Sequence, residues 1–419
     1  MTIVLGAGLA GLASAYTLAK AGEDVLVIEK ETYLGGRVRS MPIDGTMVDF
    51  GGFIIYPWYS EFHRIAKELD IDKKFQPIPH RLVYYELEKN KFFGEKELPF
   101  PITQKLRVYA HALGKLIGKP MDVASPPLDA FHEMSIDAFI QKATGKENTT
   151  FQTFSDIVCQ GYCYGPTDQY KMGVVAQISY NTVIKGGLHR CVFLNGNNAL
   201  FVDALTKEIT RLGGTIQLGE EVITFRSKFV KTTKAVYQPD TIICAMRAQK
   251  DMLTDIAPHI SLDCPYTHFY NAVFSCDRDP QFEKNPKWGA LFCLPDKTLP
   301  LQILSYVNLH ELVKKNIHKK FLNVNVIARE PVDYQRTSKE LERSLLQDVQ
   351  RIFSNVQTIT MEEIVHWKEA MPIATESFIK AMRAIHGKDH IWFAGDYLGA
   401  PSMETALRTG VRAGIASMT

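Results

Sequence analysis

Charge of a single sign is what this 419-residue chain has little of: 48 Lys and Arg stand against 46 Asp and Glu, a formal net charge of +2. So even a balance sets up no field to gather a polyanion, and neither a long basic block nor a nucleic-acid motif is present. Nucleic acid is therefore not an expected partner. Cysteine is sparse and unpatterned. The seven cysteines are an odd number, none forms a Cys-x-x-Cys pair, and Cys159 and Cys163 have no downstream Cys/His pair at zinc-like spacing. A disulfide framework and a metal site are not expected, and free thiols in a reducing compartment fit instead. Outside a glycine-rich opening there is no run of about 18 uncharged apolar residues, which argues against a span through a bilayer. The first motif begins at Gly6 and leaves no room for a leader before it, so the expected location is cytoplasmic. What remains is a composition of 46% hydrophobic and 22% charged residues, that of a folded globular chain. Its length exceeds the roughly 250 to 300 residues at which one core stops growing, so at least two domains are expected.

Thr2 to Leu5 is a short aliphatic and β-branched run that ends in Gly6-Ala7-Gly8-Leu9-Ala10-Gly11, after which Leu12, Tyr16 and Ala19 recur at helical spacing. The pattern predicts strand, tight turn and helix. Gly6 permits the turn, Gly8 admits a pyrophosphate close to backbone, and Gly11 lets the helix pack on the strand. The N–H groups at Leu9 and Ala10 open the helix, where an anion is held. A second strand, Asp24 to Ile28, runs into Glu29-Lys30, close to the spacing of about 20 residues at which an acidic side chain accepts ribose hydroxyls. Glu29 disfavours a 2′-phosphate by repulsion, which leaves NAD and FAD.

Leu34-Gly35-Gly36-Arg37-Val38-Arg39 and Asp49-Phe50-Gly51-Gly52-Phe53 decide between them. They resemble the Gly-Gly-Arg motif of the flavoprotein superfamily that holds amine oxidases, protoporphyrinogen oxidases and phytoene-type desaturases. The resemblance implies non-covalent FAD, with glycines passing close to it and Arg37 beside the diphosphate and flavin. It also implies an α/β fold: a Rossmann-like FAD-binding domain built from residues 1–75, 192–261 and 362–419, with an inserted α+β substrate domain from 76–191 and 262–361.

The far end of the chain fits that resemblance. His390-Ile391-Trp392-Phe393-Ala394 leads into Gly395-Asp396, and a helix pattern begins near Ser402-Met403-Glu404. In the family such an Ala-Gly-Asp segment meets the ribityl and phosphate part of FAD. The helix after it aims its positive N-terminus at the pyrimidine edge, Met403 acting through its N–H group and Ser402 serving also as an N-cap. Val222, after Glu220-Glu221, matches a valine that touches adenine through its backbone. Arg247 follows Met246 where the family ordinarily has proline. Trp367 with Ala370-Met371-Pro372 matches a further signature to which no catalytic role is assigned.

Flavin oxidation needs a C–H bond held against N5 and no obligatory triad or metal. His63, His80, His111 and His268 read as ordinary side chains, and no catalytic residue is assigned. Asp396-Tyr397 and Ser402-Met403-Glu404 resemble the phytoene and squalene-pathway branch, whereas amine oxidases usually carry a cage tyrosine where Ser402 stands. The stretch His268 to Arg278 points the same way, lacking the lysine that amine oxidases tend to keep there. Arg81 to Tyr85 with Leu98-Pro99-Phe100-Pro101 is equally at home in protoporphyrinogen oxidases. The expectation is an FAD-dependent oxidoreductase taking hydride from a small hydrophobic, isoprenoid-like substrate. The alternatives are an amine or protoporphyrinogen oxidase, and a flavin-dependent isomerase or mutase. Residues 105–119 place Leu106, Tyr109, Leu113, Leu116 and Ile117 on one face, a pattern for a lid helix or for one lying on an anionic membrane.

Overall fold

The computed structural model describes residues 1–77, 82–86, 91–94, 103, 107, 110–111, 122–126, 133–145, 167–168, 170–185, 191–194, 197–247, 256, 264–281, 290–293, 301–308, 320–328 and 338–419. The helix expected over 105–119 lies outside them apart from Arg107, Ala110 and His111, and His80 lies outside them altogether.

Thr2–Leu5 and Val25–Ile28 are aliphatic at every position but one and are buried throughout, as strands covered on both faces must be. They form the middle of a five-stranded sheet in the order Ile391–Phe393, Thr241–Cys244, Thr2–Leu5, Val25–Ile28, Thr215–Gln217. Every pairing in it is parallel. The register aligns Leu5 with both Ile28 and Cys244, and Cys244 with Phe393. Gly6, Glu29, Ala245 and Ala394 therefore leave the sheet side by side at its carboxyl edge, where open α/β sheets bind ligands.

The helix Leu9–Lys20 crosses back over this sheet and is itself covered by Met403–Ala416. Small residues let the two helices touch. A Cβ on Gly410 would lie 2.2 Å from the Ala10 carbonyl oxygen, and the Ser14 hydroxyl donates to the Gly410 carbonyl at 3.0 Å. This contact joins the two ends of the chain.

A second, seven-stranded mixed sheet runs in the order Ile359–Trp367, His268–Cys276, Lys320–Ala328, Leu301–Asn308, Ala290–Cys293, Leu82–Glu86, Lys91–Gly94. Strand alternation divides its side chains between two faces. Tyr270, Ala272, Phe274, Leu322, Val324 and Val326 pack under Leu345, Val349 and Ile352 of the helix Ser338–Ile352. Val273 and Phe321 pack oppositely, against Phe50, which follows the hairpin Ser40–Ile43/Thr46–Asp49, and its neighbours Phe53 and Trp367. The larger sheet thus lays its second face on the loop that follows Asp49. An α/β architecture with a parallel dinucleotide-type sheet is what the sequence predicts and what the chain adopts.

Candidate functional site

At the carboxyl edge of the parallel sheet Gly6 adopts φ +99°, and a Cβ there would lie 3.0 Å from the Ala245 carbonyl oxygen. Gly8 caps the helix Leu9–Lys20 with extended backbone and no side-chain cap, so the N–H groups of Leu9, Ala10 and Gly11 belong to the turn that a helix cannot pair internally. A Cβ on Gly11 would fall 1.9 Å from the Gly6 carbonyl oxygen, whereas one on Gly8 would meet nothing within 4 Å. The first glycine is pressed against its own chain; the other borders open space.

Glu29 is 9% exposed, and its carboxylate accepts from the Ala7 N–H at 2.6 Å and the Glu31 N–H at 3.0 Å. One bond therefore occupies each oxygen and orients the group, leaving further acceptor capacity on both. The Glu29 carbonyl accepts from the Glu220 N–H at 2.9 Å, which brings the strand beginning at Val222 alongside. Lys30 is exposed and lies 3.8 Å from Glu31. Glu220 itself is buried and takes the Thr232 and Tyr237 hydroxyls.

Arg37 carries the central polar contact. Its guanidinium donates to Asp396 Oδ1 and to the Ala370 carbonyl, each at 2.6 Å. Burial works against the Arg37 charge, but the Asp396 carboxylate outweighs it and lifts the guanidinium above its usual range. Gly51 permits the approach, since a Cβ there would lie 2.0 Å from the Arg37 carbonyl oxygen. Gly36 packs on Gly8, and Gly35 continues the contact through its N–H to the Ala7 carbonyl at 2.9 Å. Arg247, standing where proline is usual, forms an ion pair with Glu369, the residue before Ala370.

Ser402 caps the last helix, accepting from the Thr405 N–H at 3.1 Å, so its hydroxyl is engaged in the cap as read from the sequence. Met403 lies against Gly52, where an added Cβ would stand 3.5 Å from its side chain. Gly395 is pinned behind, its N–H donating to Thr409 Oγ1 at 3.0 Å. Phe53 joins the apolar cluster of Phe50, Val273 and Phe321. Every site residue singled out in the sequence is described: Gly6 to Gly11, Glu29 and Gly395-Asp396 follow strands of the parallel sheet, Ser402 and Met403 open the last helix, Val222 opens a strand of a three-stranded sheet, and Phe53 packs with the seven-stranded sheet. Sequence reasoning missed Ala370 as the second acceptor for Arg37, although its signature was noticed. It missed Ser40 and Asn198 as well, because single polar residues outside a motif leave no periodic signal. Among the histidines, His63 contacts the Tyr56 carbonyl at 3.1 Å, and burial pushes His268 down from its ordinary value.

These residues suit a dinucleotide carrying a flavin. The open space at Gly8 lies beside unpaired helix N–H groups, Glu29 retains acceptor capacity, and a helix N-terminus stands across from Gly52. Among the described residues no group of three or more His, Cys, Asp or Glu could hold a metal ion, and no helix is long and apolar enough to cross a membrane.

Comparison with known proteins agrees with this geometry. The profile of a family described as "Flavin containing amine oxidoreductase" matches residues 9–414. A 1-hydroxycarotenoid 3,4-desaturase of Flavobacterium sp. is 27% identical over 154 residues, 36% of this chain and 30% of the desaturase. A putrescine oxidase of Kocuria rosea is 40% identical over 70 residues, 17% of this chain and 15% of that protein. The matches thus span less than a third of the length of either curated relative. Among solved structures, a CLA-producing fatty acid isomerase from P. acnes superposes with a TM-score of 0.70 at 15% identity, covering 98% of this chain and 97% of that one. At that identity the likeness is one of fold.

Proposed function

We propose, from the premise that this chain belongs to the flavin-containing amine oxidoreductase family, that it binds FAD non-covalently and oxidises a hydrophobic, isoprenoid-like substrate as a desaturase. When bound, the flavin supplies the acceptor for hydride. Every other part of the work falls to the chain. The carboxylate of Glu29 holds the adenosine ribose through its remaining acceptor sites, and the N–H groups at Leu9 and Ala10 face the diphosphate. Arg37, fixed between Asp396 and the Ala370 carbonyl, brings a positive charge to the middle of the site. The start of Met403–Ala416 offers its N–H groups and positive helix end to negative charge that develops there.

The observation that favours a desaturase is the surface around Gly52. Ser402, a serine engaged in the helix cap, supplies no ring at this position. Phe53, which follows Gly52, packs with Trp367 against an apolar cluster that holds Val273 and Phe321. An amine needs a wall that holds its nitrogen by cation–π and stacking contact. A polyene needs an apolar slot that fixes one C–H bond, since positioning supplies much of the rate.

Anaerobic stopped-flow mixing with polyprenyl or polyene compounds should bleach the bound flavin faster than mixing with primary amines. Rapid bleaching by simple amines, with none by any isoprenoid, would reject the desaturase reading in favour of an amine oxidase such as the putrescine-oxidising relative. Substrate conversion that consumes no terminal acceptor would instead identify an isomerase, the activity of the structural neighbour from P. acnes.

A separate measurement addresses the adenosine end. Glu29→Ala should weaken FAD affinity at least tenfold, because charge-assisted hydrogen bonds contribute about 1.5 to 3 kcal/mol each. An equal dissociation constant for the variant and the parent, by flavin fluorescence titration, would remove Glu29 from the binding site.

A further inference from the structure

Behind Gly52 lies a buried polar junction that the chemistry above leaves unused. Asp49, 6% exposed, ends the hairpin strand Thr46–Asp49. Its Oδ1 accepts from the Ser40 hydroxyl and, at 2.9 Å, from the Asn198 N–H at the start of the helix Ala199–Arg211. The same Ser40 hydroxyl accepts from the Ala199 N–H at 3.0 Å, so the pair caps that helix with two side chains from another element. The Asn198 side chain then donates to the Gly52 carbonyl at 2.7 Å. From the opposite side, Asn323 of the larger sheet donates to the Asp49 carbonyl at 3.0 Å. Asn323 is bonded in turn to Asn271 on the neighbouring strand, whose side chain also reaches Asn325. The second carboxyl oxygen of Asp49, buried, has no hydrogen-bond partner.

A buried carboxyl, three buried asparagines and the half-buried Asn325 make an expensive core unless their placement does something that apolar side chains would not. What they join is specific. One end of the network is the backbone of Gly52, which faces Met403; the other is the seven-stranded sheet, whose opposite face builds the core under the helix Ser338–Ile352. We propose that Asp49 is a positioning residue for the reacting end of the site: through Asn198 it holds the Gly52–Phe53 backbone against Met403, and through Asn323 it ties that backbone to the substrate-side sheet. This rests on the reading of the site as a flavin site.

The charge environment makes the junction testable by pH. Ser40 and Asn198 bond the carboxyl itself, Asn323 bonds the backbone carbonyl of the same residue, and none of the three titrates. The cations just before its hairpin are turned elsewhere, Arg37 to Asp396 and Arg39 over the Tyr33 ring at 4.2 Å. Burial pushes the Asp49 carboxyl up to about 6, against the opposing pull of Ser40 and Asn198. A carboxyl raised above its unfolded value contributes stability that is full below about pH 4 and is lost as pH rises through about 6.

The experiment follows the visible spectrum of bound FAD and its dissociation constant in the full-length holoprotein from pH 5 to 7.5. Wild type should show a step in the flavin spectrum centred near pH 6. Asp49→Asn, close to isosteric, should bind FAD within about threefold of wild type at pH 5 and lack the step. Asn198→Ala keeps the carboxyl but cuts its link to Gly52; it should shift the spectrum and weaken FAD about tenfold, the effect of one hydrogen bond of about 1.4 kcal/mol. A step that persists in Asp49→Asn, or an unchanged spectrum and affinity in Asn198→Ala, overturns the inference while FAD binding itself stands. A wild-type chain that takes up no FAD at any pH overturns the flavin reading, and the positioning role with it.

Discussion

Arg37→Ala should destabilise the folded chain by about 3 kcal/mol and strip it of FAD. The reason is the partner left behind. Asp396 is 5% exposed on its side chain, and Arg37 is its ion-pair partner at 2.6 Å. Removing one member of a buried pair typically costs 3 to 5 kcal/mol, because the other charge stays desolvated and uncompensated. Arg37 keeps 34% of its side-chain exposure, which lets water screen the pair and favours the lower end of that range. The freed Ala370 carbonyl loses its donor as well. Arg37→Ala/Asp396→Asn should therefore recover much of the stability that Arg37→Ala loses, since the neutral amide no longer carries a stranded charge. Recovery of FAD binding should not follow, because the guanidinium is still missing. Urea unfolding of the four members of this double-mutant cycle measures the coupling. Strict additivity of the two substitutions would show that the pair is not the link between the two ends of the site.

The glycine turn gives the second large effect, and it separates fold from binding. Gly11→Ala puts a methyl 1.9 Å from the Gly6 carbonyl oxygen, a distance that only displacement of the helix from its strand can relieve. Alanine's better helix propensity, worth about 1 kcal/mol, offsets only the low end of overpacking costs of about 1 to 3 kcal/mol, and a methyl 1.9 Å from a backbone oxygen falls at the high end. Both thermal stability and FAD binding should fall. Gly8→Ala differs in one respect that decides its outcome. Its φ of −72° suits any residue, and the added methyl meets no protein atom within 4 Å. The apoprotein should melt within a degree or so of wild type, as a substitution without strain or clash does. FAD affinity should nonetheless drop by about a hundredfold or more, because the methyl stands where backbone and pyrophosphate must approach. Differential scanning calorimetry of the apo variants with flavin titration of each checks the pair. A Gly8→Ala protein that binds FAD normally would mean that the diphosphate does not lie over this turn.

The parts of this protein legible in its sequence are those made by a few consecutive residues. The turn from Gly6 to Gly11, the carboxylate at Glu29 and the cap at Ser402 each depend on local backbone geometry, which sequence neighbours determine by φ preference, helix ends and strand alternation. The family resemblance at Gly35-Gly36-Arg37 and Gly395-Asp396 belongs to the same kind, a short motif read in its flanking strand and helix. Pairings between distant segments were decided only by the tertiary structure. Arg37 meets Asp396 because the parallel sheet sets the ends of Thr2–Leu5 and Ile391–Phe393 at one edge and the two terminal helices pack through Gly410 and Ser14. Asp49 meets Asn198 and Asn323 because a hairpin, a helix start and a second sheet converge on one buried point. An isolated asparagine carries no period and no cap signature that would reveal its partner, since hydrogen bonds across a fold are selected by packing rather than by spacing along the chain. Local chemistry thus specified the dinucleotide-type turn, and the arrangement of its most distant partners followed from the way two sheets and two helices close around it.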